Sequence, residues 1–298
     1  MNIDKELVTT VVGSFPSKPS KESLSKSYFT DIDPYLESLR KAVQTQIDAG
    51  IELISDGQTR GNMVDIYAKG LKGYRIKEKI EIVSDIEYLS PITVDDQKMV
   101  KKIAPDDVGL KGIITGPFTM VKSVENKHYR SEKDAVLDTA EALKDEGENL
   151  ADICDVVQID EPFLSTEFPE YAKNALDIML DIDTTTALHI CGNVNPFVED
   201  VVDISVDILD HEFADNPSLY DVYSDIDFSQ RMSVGVVNTT PRVESIDDIK
   251  DRISRAYDIF GPTSMIDPDC GLRDIDFESG KSKLENMVQA RDSFLKEI

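Results

Sequence analysis

Thr184-Thr185-Thr186-Ala187-Leu188-His189-Ile190-Cys191-Gly192-Asn193 decides how this chain is read. The stretch begins as a β-branched and apolar strand and turns at Gly192-Asn193. Residues two apart on a strand share a face, so His189 and Cys191 project together from the strand's end. An imidazole beside a thiolate is a donor pair suited to zinc, ahead of iron or copper. Two donors do not make a site, so partners are sought at the ends of other strands. Glu212 closes the run 206–212, and Cys270 closes the run 265–270 before Gly271. His189, Cys191, Glu212 and Cys270 are therefore the candidate ligands of a Zn2+ ion. Each has a plainer reading: Cys270 as a buried core thiol, Glu212 as a surface carboxylate, His189 as a satisfied histidine.

Outward from that stretch the chain alternates. Strands are expected at 7–12, ending in Gly13-Ser14-Phe15-Pro16, and at 51–55, ending in Asp56-Gly57-Gln58. Others fall at 112–115 before Gly116-Pro117, at 155–159 before Asp160-Glu161-Pro162, at 184–188, at 206–212, at 232–237 before Asn238, and at 265–270. Helices are expected from Asp33-Pro34 to near Gly50, and over 60–70, 94–103, 131–150, 245–260 and 277–296. Ser245 followed by Asp248 is a capping-box-like start. Residues 71–93 alternate in part, with Tyr74, Ile76, Ile80 and Ile82 on one face, and read as an inserted hairpin. Eight strand-then-helix units predict an α/β fold, a single (β/α)8 TIM barrel forming one catalytic domain over 1–298. The polar residues that break the strands all fall at carboxyl ends: Ser14, Asp56, Gln58, Asp160, His189, Cys191, Glu212, Asn238 and Cys270. Barrels of this kind build their active sites there. A doubly wound open sheet, the alternative architecture, would spread these residues apart.

Composition narrows the partners. A formal charge of -26 over 298 residues repels phosphates and argues against a nucleic-acid groove. Three cysteines, an odd and sparse count without a secretory signal, fit a reducing cytoplasm rather than a disulfide framework. No apolar run is long enough to span a bilayer, so no membrane role is expected.

Ligand charge then selects the chemistry. Two thiolates and one carboxylate outweigh a divalent charge, so water on such an ion is poorly activated. A thiol, starting near pKa ~8.5, is still readily deprotonated and stays nucleophilic. The set favours thiol alkylation over hydrolysis. An incoming thiol adds a ligand or displaces the weakest one, Glu212.

Several motifs together carry a family resemblance: Thr9-Thr10-Val11-Val12-Gly13-Ser14-Phe15-Pro16, Thr115-Gly116-Pro117, Gln158-Ile159-Asp160-Glu161-Pro162, His189-Ile190-Cys191, Glu212, Pro241-Arg242-Val243-Glu244-Ser245 and Asp267-Pro268-Asp269-Cys270-Gly271-Leu272. Over nearly its full length the chain resembles the catalytic domain of cobalamin-independent methionine synthases, in a short, archaeal-type core form. The resemblance implies a (β/α)8 barrel that transfers a methyl group to the sulfur of L-homocysteine on zinc. It implies that His189, Cys191, Glu212 and Cys270 are the zinc ligands. It also implies that Val12, Gly13 and Ser14 hold the amino acid's carboxylate and that Asp160, counted with the catalytic residues, holds its ammonium. Gln58 falls where the family has a glutamate that also contacts the amino acid, and a neutral amide attracts an ammonium less.

The departures point to a donor. The full-length enzymes have a second, N-terminal barrel that helps bind folate, and none is present in this sequence. The family's folate-stacking Trp is replaced in Val121-Lys122-Ser123, and the chain has no Trp. An Arg-Cys pair before the third strand is missing, and the glutamate expected shortly after Pro162 falls at Thr166, beside Glu167. The proton-donating His is replaced around Asn238-Thr239-Thr240; the histidines are His128, His189 and His211. A methyl on folate nitrogen leaves poorly without a general acid, whereas a methylated corrinoid needs none. The expectation is therefore homocysteine methylation from a methylated corrinoid, methylcobalamin or a corrinoid protein. The alternatives are a methyl-folate or methyl-pterin donor, a uroporphyrinogen-decarboxylase-like enzyme, a non-catalytic zinc-stabilised or corrinoid-binding module, and a different thiol acceptor such as coenzyme M.

Overall fold

The computed structural model describes residues 3 and 5–298. Eight parallel strands hydrogen-bond side by side, and a parallel bridge from Thr10 to Leu53 joins the two ends of the row into a barrel. The chain starts in β1 (Val8–Thr9), passes the short α1 (Lys21–Ser27), and enters α2 (Leu36–Ala49), which Gly50 ends in the left-handed region at φ 84°. β2 (Leu53–Ile54) leads to α3 (Met63–Gly70), whose first turn is capped by the Asn62 side chain on Val64 N–H. The expected insertion follows as a hairpin of β3 (Leu71–Ile76) and β4 (Ile80–Tyr88), antiparallel to each other. α4 (Val94–Ile103) returns the chain to the barrel.

β5 (Gly109–Thr115) begins three residues earlier than its sequence suggests, because Lys111 is a buried strand residue rather than the approach to a strand. α5 (Pro117–Lys122) and β6 (Glu125–Asn126) follow, and β6 adds a third strand beside β4. α6 (Glu132–Ala151) starts under a Ser131 cap and buries Glu146, whose carboxylate accepts from the N–H groups of Ile92 and Thr93 and from the hydroxyls of Thr93 and Tyr88. That carboxylate ties the hairpin's exit to the barrel.

β7 (Val156–Asp160), α7 (Glu170–Leu180), β8 (Thr185–Ile190), α8 (Val198–Val202), β9 (Ile208–His211) and α9 (Leu219–Ser224) continue the alternation. β10 (Arg231–Val237), α10 (Ile246–Phe260) capped by Ser245, β11 (Met265–Pro268) and α11 (Phe277–Leu295) capped by Asp276 complete it. The strand-period alternation sends every second side chain inward. At the lower end Val8, Leu53, Val156, Ala187, Ile208 and Met265 form an apolar plug. One step up lies a polar tier, with Thr10, Lys111, Gln158, Asp210 and Ser233 around the barrel centre. The next step is the rim, where the expected site residues stand. Burial between barrel and outer helices forms the main core.

Among the described residues no helix is long and apolar enough to cross a membrane. All three cysteines are free.

Candidate metal centre and substrate cavity

β8 and the loop after β11 meet at the rim. His189, Cys191 and Cys270 offer one nitrogen and two sulfurs, all within 4.8 Å of one another. His189 Nε2 lies 2.8 Å from Cys191 Sγ, while its Nδ1 faces Asp210 Oδ2 at 3.1 Å. The pairing of β8 with β9 places Asp210 directly beside His189. A carboxylate behind a histidine fixes the ring and leaves the far nitrogen for a metal. The hydrogen bond with Cys191 draws the Cys270 thiol down to about 5, and the same contact drives Cys191 well above the ordinary thiol range. Burial disfavours charge on His189, but Cys191 and Asp210 outweigh it and its pKa rises well above the usual value. A soft donor set sharing protons in this way fits a divalent ion such as zinc.

Glu212 stands one step from this trio. β9 ends at His211, and Glu212 begins a turn in which its carbonyl accepts from Asn216 N–H at 3.1 Å. Its carboxyl is half-buried, with its pKa raised by burial and by Cys270, against the pull of Gly192 N–H and the Cys191 thiol. The structure thus gathers three of the four expected ligands and sets the fourth beside Cys191.

The same three residues line one side of a cavity of about 180 Å³ whose walls include Val12, Ser14, Gln58 and Asp160. Asp160 ends β7 as the register partner of His189 on β8. Burial pushes its carboxyl up to about 7, against the His189 charge and the hydrogen bond from Gln158. Gly13 does not line the cavity; it packs behind, where a Cβ would lie 2.8 Å from Ile113 Cδ1, and its carbonyl accepts from Ser55 Oγ. Ser14 Oγ lies where a Cβ on Gly271 would come within 2.1 Å, so only glycine admits that approach. Gln58 is held in the left-handed region at φ 45°, with Asp56 Oδ1 accepting from its N–H at 3.0 Å and Arg273 donating to its carbonyl. A non-glycine residue kept in that region at a cavity wall marks strain held by its surroundings.

Asn62, Met63, Pro162, Arg273 and Asp274 also line the cavity, and the sequence reading had assigned them no part. Arg273 and Asp274 follow Cys270-Gly271-Leu272 directly, so their nearness to a candidate ligand cysteine was the available signal. Asp210 went unassigned because it sits inside a strand, and only strand pairing reveals its neighbour.

The comparisons now bear on the assembled site. A family model described as "Cobalamin-independent synthase, Catalytic domain" matches residues 7–293. The chain is 36% identical over 308 residues to a methionine synthase of Methanocaldococcus jannaschii, covering 95% of this chain and 98% of that protein. It is 37% identical to a methionine synthase of Methanothermobacter marburgensis, covering 97% and 100%. Its fold matches a B12-independent methionine synthase from Shewanella, solved in complex with selenomethionine, at a TM-score of 0.85, 20% identity and 98% coverage of both chains. These findings overturn the expected methylated corrinoid or corrinoid protein as methyl donor, since the matched family is cobalamin-independent. That expectation equated the loss of a histidine near Asn238 with the loss of any proton supply. The missing His and Trp show only that those two side chains are not used. Matched by the family model over nearly its whole length, and above 30% identical to relatives it covers almost completely, the chain belongs to the catalytic-domain family of the cobalamin-independent methionine synthases, a family of methyltransferases.

Proposed function

We propose that this chain transfers a methyl group from the nitrogen of a reduced folate or pterin to the thiol of L-homocysteine, giving methionine, with Zn2+ held by His189, Cys191 and Cys270 and with Glu212 as a fourth, exchangeable ligand. The observation that carries this reading is the convergence of the three soft donors on the cavity that Asp160, Val12 and Ser14 also line. When bound, zinc lowers the pKa of a thiol, while two thiolate ligands leave the sulfur electron-rich.

The remaining work falls to the protein. Asp160 pairs with the amino acid's ammonium, and Ser14 takes its carboxylate at the wall that Val12 also lines. The substrate then lies across the cavity with its sulfur toward the trio. Gln58 closes the wall beside it. Asn62, Met63, Arg273 and Asp274 face the donor from the remaining side. The thiol loses its proton, the S–C bond forms as the N–C bond breaks, the electron pair returns to the nitrogen, and that nitrogen takes up a proton. In-line approach of two bound reactants turns a bimolecular transfer into an effectively unimolecular one. A cytoplasmic setting suits two free thiols that must stay reduced.

The test uses zinc-loaded protein, homocysteine and a labelled methyl group on a reduced folate or a reduced pterin. Labelled methionine is expected from at least one of them, and its formation should stop on chelation and return with zinc. No transfer from either nitrogen donor would overturn the donor assignment. Undiminished transfer after metal removal would overturn the zinc assignment.

A further inference from the structure

Beneath the cavity the barrel interior holds one lysine among the described residues. Of the buried Lys and Arg residues among those described, Lys283 and Arg291 belong to the outer helix α11, and Lys111 alone stands on a barrel strand. Burying an ammonium is costly unless it is paired, so its partners define what it is for. Lys111 Nζ donates to Gln158 Oε1 at 2.7 Å. Gln158 Nε2 donates at 2.8 Å to Asp160 Oδ1 and at 2.8 Å to the Val12 carbonyl. An ammonium has only donors, so the amide oxygen must face Lys111 and the amide nitrogen must face the rim. The bridge runs from β5 to the neighbouring β7 and on to Val12, in the loop after β1. It terminates on two cavity-wall groups, one at each end of the proposed amino-acid subsite.

We propose that Lys111 is a positioning residue for the amino-acid substrate, orienting Gln158 so that the Asp160 carboxylate stays set to receive the substrate's ammonium, while the same amide anchors the Val12 carbonyl at the cavity wall. The inference rests on the assignment of Asp160 to the ammonium. Lys111 touches neither substrate nor metal ligand; it acts through Gln158. Asp210 and Asp267 also share its field, so a purely charge-balancing role is the competing account. That role would alter metal retention and stability, but not the choice between an acceptor with an ammonium and one without.

The experiment compares homocysteine with sulfanylbutanoate, which keeps the thiol and the carboxylate and lacks the amino group. Binding to the zinc-loaded protein is read by calorimetry, with KM and kcat measured alongside. Wild type is expected to prefer homocysteine. Lys111→Met should weaken homocysteine at least about ten-fold, the worth of a hydrogen bond to a charged group, and leave sulfanylbutanoate nearly unchanged. Zinc content should stay at the wild-type level and KM should rise more than kcat falls. Gln158→Glu keeps a partner for Lys111 but turns an acceptor toward Asp160; it should cost the same preference, and it serves where the methionine variant fails to fold. A wild-type preference that survives both substitutions, or an equal loss for both ligands, overturns the role of Lys111 and leaves the Asp160 assignment standing. A wild type without any preference overturns the Asp160 assignment, and the role of Lys111 with it.

Discussion

Gly116→Ala tests whether the Asp160-Glu161-Pro162 turn is held by packing from a neighbouring strand. A Cβ at Gly116 would sit 2.1 Å from Glu161 Cδ and 2.2 Å from its Oε1. Carbon atoms pack comfortably only near 3.5–4.0 Å, so the carboxyl must retreat by more than about 1 Å. Glu161 is wholly buried and has nowhere to go. What it can give up is its pair of hydrogen bonds, from Phe118 N–H at 2.9 Å and Thr119 N–H at 2.8 Å, which cap the first turn of α5. Hydrogen bonds to a charged group are worth about 1.5–3 kcal/mol each, so the loss begins near 3 kcal/mol. The backbone at Gly116 is extended (φ -66°), and alanine there returns about 0.4–1 kcal/mol by stiffening the unfolded chain. A net loss of at least about 2 kcal/mol is expected. Urea unfolding of wild type, Gly116→Ala, Glu161→Ala and the double variant reads it. Removing the glutamate makes room for the methyl, so the double variant should be no less stable than Glu161→Ala alone. Gly116 N–H also donates to the Asp160 carbonyl at 2.8 Å, so the homocysteine KM should rise in Gly116→Ala. The reasoning fails if Gly116→Ala unfolds within about 0.5 kcal/mol of wild type, or if the two single losses simply add.

Two further outcomes follow from buried carboxylates. Asp210→Asn removes the charge 3.1 Å behind His189, and zinc affinity, read by competition with a chromophoric chelator, should fall about 10–100-fold with the fold intact; unchanged affinity would refute its part in holding the ring. Burial, reinforced by Asp96, pushes Asp56 up to about 6 from an ordinary 3.8. A carboxyl whose folded pKa lies above its unfolded one costs nothing at low pH and loses stability as pH rises between the two values, here by up to about 3 kcal/mol. Asp56→Asn should therefore flatten the fall in stability between about pH 4 and 6, and a wild-type slope that persists in the variant would refute the assignment.

Where local chemistry starts an element, the sequence showed it. Ser131 and Ser245 each cap a helix through their own hydroxyl, and the helix 94–103 stands where its pattern placed it. The eight strands were legible because each ends in a polar residue, most of them near a glycine or proline or in a metal-type ligand. α5 and α7 were not. α5 has no cap of its own; its first turn is satisfied by Glu161 from another strand, more than 40 residues away in sequence. α7 begins after Pro169 with no side-chain cap at all. The donor was not legible for a related reason. Two absent side chains do not define a reaction that the rest of the cavity wall also shapes.

The site's upper tier was legible and its lower tier was not, and the difference is physical. His189, Cys191 and Cys270 break apolar runs at their ends, where a polar residue already suggests exposure and chemistry. Lys111 and Asp210 interrupt strands in the middle, where a polar residue argues against a buried strand. They are tolerated because each meets its partner on the neighbouring strand, Lys111 meeting Gln158 47 residues on and Asp210 meeting His189. Gln158 in turn reaches Val12 146 residues back, a contact that exists only once the barrel has closed. A ring of parallel strands, with an apolar plug below and a rim above, leaves between them a volume shielded from water but crossed by backbone from every strand. Charges placed there are held in fixed positions at low dielectric, where an orienting hydrogen bond counts for more than it would at the surface. Each rim residue in the proposed site, His189 facing the candidate metal and Asp160 facing the proposed ammonium, has a polar partner inside the barrel, Asp210 and Gln158 respectively. The accuracy of the rim is thus set by residues that touch no ligand.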